Sequence, residues 1–99
     1  MSDGDIRRRV LVVDDDRITR ETLAFIFAQH GYETKYAQSA EAAILVAGEW
    51  APDFAVIDVM LPGIDGISLA IAINVRFPDC IVYRRYLVSG RDDVKESQS

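Results

Sequence analysis

Two short apolar runs, Val10-Leu11-Val12-Val13 and Phe54-Ala55-Val56-Ile57, each lead straight into carboxylates. Such runs, bounded by turn signals, predict strands buried on both faces, as in a parallel sheet. Strand one is expected over about Arg8 to Asp14, and the central strand ends on Asp58, ahead of a turn rich in Pro and Gly. Tyr32 to Ala37 alternates, which predicts a second, edge strand. Ile81 to Ser89 is apolar and β-branched except at Arg84 and Arg85. Either that strand is only Tyr86 to Val88, or an exposed edge lets both guanidinium groups reach water.

Helical periods separate these strands. Arg17 to His30 predicts a helix with Leu23, Ile26, Phe27 and His30 at i, i+3, i+4 and i+7, stopped by Gly31 at C′. Ile18 and Phe25 widen its stripe, so it is expected to touch more than the sheet. Ser39 is placed to N-cap a helix through Gly48, with Ala40, Ala43, Ile44 and Ala47 on one face, and Pro52 limits its extent. Ile67 to Phe77 repeats Ile67, Ala70, Ile71 and Asn74 or Val75, and Pro78-Asp79 ends it. The order β-α-β-α-β-α-β predicts an α/β fold with a parallel sheet and right-handed crossovers. Residues 1–7 read as a disordered tail, 8–90 as the domain, and 91–99 as a polar tail or the start of a fourth helix.

At 99 residues, 49% apolar and 27% charged, the chain reads as one small soluble domain. Its net charge of −5 argues against a nucleic-acid interface, because phosphate contact needs patches of Lys and Arg. Arg7-Arg8-Arg9 reads as a solvated strand entrance. Cys80 is the only cysteine, which excludes an intrachain disulfide and fits a reducing, cytoplasmic location. The apolar core after the basic triplet is far too short for a signal peptide, and no run suits a membrane span.

The chemistry concentrates at the strand ends. Asp58 stands at the carboxyl end of the central strand, where open α/β sheets build ligand sites. An unpaired carboxylate there is costly, and a cation is the natural partner. Asp14-Asp15-Asp16 ends the other apolar run, so two strands deliver several carboxylates to one rim, a hard-cation site of the Mg²⁺ type.

Val10-Leu11-Val12-Val13-Asp14-Asp15, then Asp58 followed by Met-Leu-Pro-Gly-Ile-Asp-Gly, then Leu87-Val88-Ser89-Gly90, resembles the response-regulator receiver domain of two-component signalling. The match spans about Val10 to Gly90. It implies a flavodoxin-like fold with strand order 2-1-3-4-5. It also implies a phosphoacceptor role for Asp58, supplied by a sensor histidine kinase or phosphotransfer protein. On the same resemblance Asp14, Asp15, Asp58 and the Met60 backbone carbonyl hold Mg²⁺, and Ser89 hydrogen-bonds the phosphoryl oxygen as part of the switch. Mg²⁺ would offset the repulsion between two anions, and the added charge would reorder nearby loops. Such a module is not an enzyme beyond its own phosphorylation and dephosphorylation. The family also carries a fifth strand ending in Lys-Pro, an aromatic switch residue and a fifth helix, and this sequence ends before them; the role of that lysine is not transferred to Lys95. The fourth strand is then expected to be an exposed edge, open to homodimerisation.

Plainer roles compete. One aspartate of Asp14 to Asp16 is expected to cap the following helix, and Asp65 to cap the next. His30 suits the negative end of a helix. Trp50, Tyr83 and Tyr86 read as packing, and Cys80 as a buried small hydrophobe. Two other functions are carried: a receiver-like interaction module that takes no phosphate, and a haloacid-dehalogenase-like phosphatase using Asp14 and Asp16, with Ser89 as its second motif. The second leaves Asp58 unexplained and lacks the later lysine and acidic motifs.

Overall fold

The computed structural model describes residues 7–61 and 66–85. Four parallel strands lie in the order β2-β1-β3-β4: β1 Arg9–Val13, β2 Glu33–Ala37, β3 Phe54–Asp58 and β4 Ile81–Arg85. Between them run α1 (Arg17–Gln29), α2 (Ala40–Trp50) and α3 (Gly66–Arg76). Sheet order and connectivity are those expected, with β2 at one edge and β4 outermost among the described strands.

Side chains alternate across the central strands. Leu11, Val13, Ala55 and Ile57 face α2 and α3 in a core completed by Ala43, Ala47, Leu69, Ala70, Ile73 and Cys80. Val10 and Val12 face α1, where Ala24 is buried beside partly buried Leu23, Phe27, Tyr32, Phe54 and Val56. The central strand is therefore fully covered on one face and partly on the other.

Caps set the helix limits. The Asp16 side chain accepts from Thr19 N–H at the start of α1, and Ser39 Oγ accepts from Ala42 N–H at the start of α2. Gly31, at φ +94°, turns the chain out of α1, a conformation that favours glycine. Ala51 takes the left-handed conformation (φ 55°) after Trp50, so α2 runs two residues past Gly48 before Pro52.

Two helix faces differ from expectation. In α1 the buried residues are Arg20 and Ala24, whereas Ile26 and His30 are exposed. His30 serves as the C-cap, its Nδ1 beside the Ile26 carbonyl. Ile18 and Phe25 are also exposed among the described residues. In α3, Leu69, Ala70 and Ile73 point inward, and Ile67, Ile71 and Val75 point out. That helix is apolar nearly all round, so periodicity alone gave it no single inner face. The fourth strand is described over Ile81–Arg85, so it is not confined to Tyr86 to Val88, which lie outside the described residues.

Candidate functional site

The strand ends on one rim supply the site. Asp14 directly follows β1, and its N–H donates to the Ala37 carbonyl on β2 (3.1 Å). Asp58 is the last residue of β3. Because β1 and β3 are paired neighbours, the two carboxylates lie side by side, and Asp15 completes the group. Oxygens of Asp14, Asp15 and Asp58 all fall within 4.8 Å of one another. Asp14 and Asp58 are buried (2% and 4% exposed), while Asp15 is open to solvent.

Local turns aim both buried carboxylates. Asp14 Oδ1 accepts from Asp16 N–H (2.9 Å), and Asp58 Oδ1 accepts from Met60 N–H (3.0 Å). Each is an aspartate bonded to the backbone two residues on, a turn that short acidic side chains favour. The chain after β3 is drawn tight as well. Val59 N–H donates to the Arg85 carbonyl and Gly66 N–H to the Val59 carbonyl, both at 3.1 Å. A Cβ at Gly66 would stand 2.3 Å from Asp58 O and Val59 Cα, so this approach requires glycine.

Two cations border the acids. Arg20, buried in α1, donates from Nη1 to the Asp14 backbone carbonyl (3.1 Å), and its guanidinium lies over the Tyr36 ring at 5.4 Å. Arg85, at the end of β4, forms an ion pair through Nη2 with Asp14 Oδ2. Neither appeared among the sequence candidates. The signal available for Arg85 was a charged residue inside an otherwise apolar strand, and the fold resolves that conflict: Arg84 turns to solvent, and Arg85 turns to an acid.

Asp16 stands apart from the group and caps α1 instead. Its pKa is lowered, first by the Thr19 hydroxyl it accepts from, then by the Thr19 N–H, with Arg20 adding attraction. This overturns the pairing of Asp14 with Asp16 that a phosphatase site would use. Met60 is exposed and held beside Asp58 by its N–H. Ser89 and Asp65 lie outside the described residues. Trp50 packs at the far end of the sheet, where its carbonyl accepts from Arg9 and its ring carries Arg9 and Lys35 at 5.5 Å. Cys80 is buried, and that burial pushes its thiol pKa up.

Three carboxylates converging from two strands are hard oxygen donors of the number and spacing that a small divalent cation accepts. The donor set fits Mg²⁺. Among the described residues no helix is long and apolar enough to cross a membrane.

Comparison with known proteins agrees with this geometry. The response regulator receiver domain model matches residues 10–98. The response regulator MprA of Mycolicibacterium vanbaalenii is 34% identical over 88 residues, covering 89% of this chain and 37% of its own length. A cyclic di-GMP phosphodiesterase of Thermotoga maritima is 35% identical over 86 residues, 87% of this chain and 22% of that protein. The chain thus spans well under half the length of these relatives. The response regulator TrrA of Thermotoga maritima, in complex with Mg²⁺–BeF, shares the fold with a TM-score of 0.74 at 24% identity, over 92% of this chain and 96% of its own. With the sheet order, the carboxylate rim and the family match in agreement, this chain belongs to the response regulator receiver domain family.

Proposed function

We propose that this chain is a phosphoacceptor receiver module, in which Asp58 takes a phosphoryl group from the phosphohistidine of a sensor kinase or phosphotransfer protein. The observation that carries this reading is the meeting of Asp14, Asp15 and Asp58 at one rim, two of them buried and aimed by their own turns. An Asp58 carboxylate oxygen attacks phosphorus, the N–P bond of phosphohistidine breaks, and an acyl phosphate forms as imidazole leaves. Phosphoryl transfer asks little covalent chemistry of the protein, so position and charge decide the rate. Met60 N–H fixes the carboxylate plane. Asp14, Asp15, Asp58 and the Met60 carbonyl would hold Mg²⁺, which supplies neutralisation of the meeting anions. Ser89 is proposed as donor to a phosphoryl oxygen.

In this role the protein catalyses only its own phosphorylation and dephosphorylation, in the cytoplasm, and signals through protein contacts rather than by binding nucleic acid. The outermost described strand, with Ile81 and Tyr83 exposed, is the proposed homodimer edge. TrrA's complex with Mg²⁺–BeF supports the same chemistry on this fold.

Intact-mass spectrometry with Mg²⁺ and acetyl phosphate tests the reading. One phosphoryl group should add to the wild type and none to Asp58→Asn. Wild-type protein that is folded yet never gains the adduct would turn the reading into that of a phosphate-independent interaction module.

A further inference from the structure

Arg85 ends a strand yet turns its charge onto a buried acid of the rim. It is the last residue of β4, level with Asp58 on β3, and its carbonyl is tied to Val59 N–H. From there its side chain crosses the end of β3 to reach Asp14, which follows β1. The guanidinium therefore lies over the rim where the three carboxylates converge. It is about a quarter exposed (28%), against 4% for its partner's side chain. Arg84 next to it is exposed, so the pairing is particular to one residue of the pair. Arg20 reaches the Asp14 main chain rather than its carboxylate.

The bond matters because of which atom it uses. Asp14 Oδ1 is committed to Asp16 N–H, and Oδ2 is the oxygen that Arg85 takes. A divalent ion drawing on Asp14 must share or recover that oxygen. A buried acid that loses one cation needs another.

We propose that Arg85 is a built-in counter-cation of the acidic rim, which holds Asp14 when no metal is bound and is released from it as a divalent ion enters. This rests on the reading of the rim as a Mg²⁺ site. Entry of the ion and departure of the guanidinium are then one coupled exchange, and coupling of this kind is reciprocal. The wild type binds Mg²⁺ more weakly than its three carboxylates alone would allow, and Asp14 keeps a counter-charge without metal.

Calorimetric titration of Mg²⁺ into the wild type, Arg85→Gln, Arg85→Lys and Arg84→Gln, at fixed ionic strength, tests the exchange. Arg85→Gln should bind Mg²⁺ about tenfold more tightly, Arg85→Lys should fall between, and Arg84→Gln should match the wild type. Unchanged or weaker binding by Arg85→Gln overturns the proposal, as does equal tightening by Arg84→Gln, which would show a general effect of charge. Arginine side-chain NMR on the unmodified protein provides a readout that needs no variant. The Arg85 Nε–H signal should move with Mg²⁺ along the same binding curve, and a signal that ignores saturating Mg²⁺ overturns the proposal. If neither wild type nor Arg85→Gln binds Mg²⁺ at all, the metal reading itself falls, and this inference with it. Equal binding by both removes only the role of Arg85.

Discussion

Among the described residues, one face of the sheet carries two helices and the other carries one. Against α2 and α3, Leu11, Val13, Ala55, Ile57, Leu69 and Ile73 are almost wholly removed from solvent. Against α1 the cover is thinner. Phe27, Tyr32, Phe54 and Val56 are only partly buried, and with Val10 and Tyr83 they line an open apolar cleft of about 430 Å³. Edge-to-face contacts of the Tyr32 ring with Phe27 and Phe54, and stacking of Phe54 on Tyr83, order its wall. The acidic rim stands where the two faces meet, because Asp14 and Asp58 end the strands that serve both. The difference teaches that this rim is anchored mainly from the α2/α3 side, through side chains that have nowhere to relax.

One chemical change applied to both faces is the most demanding test of that contrast. Leu69→Ala empties a site that is 0% exposed and should cost roughly 3–4 kcal/mol, a lost transfer energy plus a cavity. Leu23→Ala, on α1, removes the same atoms from a half-open surface and should cost roughly 1 kcal/mol. Urea denaturation measures both. Equal losses would mean that the α1 face is as closely packed as the other.

The two structural glycines sharpen the same contrast at smaller scale. Gly66 opens α3, and a methyl group there meets backbone atoms of Asp58 and Val59 at 2.3 Å. Gly66→Ala should therefore cost roughly 2–3 kcal/mol and shift the NMR signals of Asp58, because backbone cannot yield as a side-chain tip does. Gly31, after α1, has open space around it and only its positive φ to protect. Gly31→Ala should cost about 1 kcal/mol and leave Asp58 undisturbed. A Gly66→Ala protein as stable as the wild type would show that the turn after β3 is looser than its hydrogen bonds imply.

The strands and the acids were legible in the sequence for one reason. In β1 and β3 burial leaves unbroken apolar runs, and a carboxylate at the end of such a run is conspicuous. Asp14, Asp15 and Asp58 could be placed together before any fold was seen. The helix faces were harder to read. α3 offers apolar residues at nearly every position, so Ile67 and Ile71 competed with Leu69 and Ile73, and packing alone decided between them. In α1 the inner face is built from a small residue and an arginine, Ala24 and Arg20, which hydropathy does not mark as core. Arg85 was visible as an anomaly but not as a partner. Its acid lies 71 positions earlier in the chain, a distance that only the parallel register closes.

The smallest expected effect separates the two faces by pH. α1 and α2 are capped in the same way, by a side-chain oxygen that accepts from the third residue on, but the caps differ in charge. Ser39 on α2 does not titrate, whereas Asp16 on α1 does. The folded chain holds the Asp16 pKa below its ordinary value of 3.8, through the Thr19 hydroxyl and N–H and the charge of Arg20. A carboxylate whose pKa is lowered by folding stabilises the fold above its unfolded pKa, and that contribution is lost as pH falls through the lower, folded value. Acid should therefore loosen the first turn of α1 before that of α2. Amide hydrogen exchange followed by NMR below pH 3.8 should show Thr19 losing protection while Ala42 keeps it. Asp16→Asn, which caps without a charge, should hold Thr19 protection level across the same range. Simultaneous loss at both helices would mean that acid unfolds the sheet as a whole, and that the thin face is no weaker at its cap than the dense one.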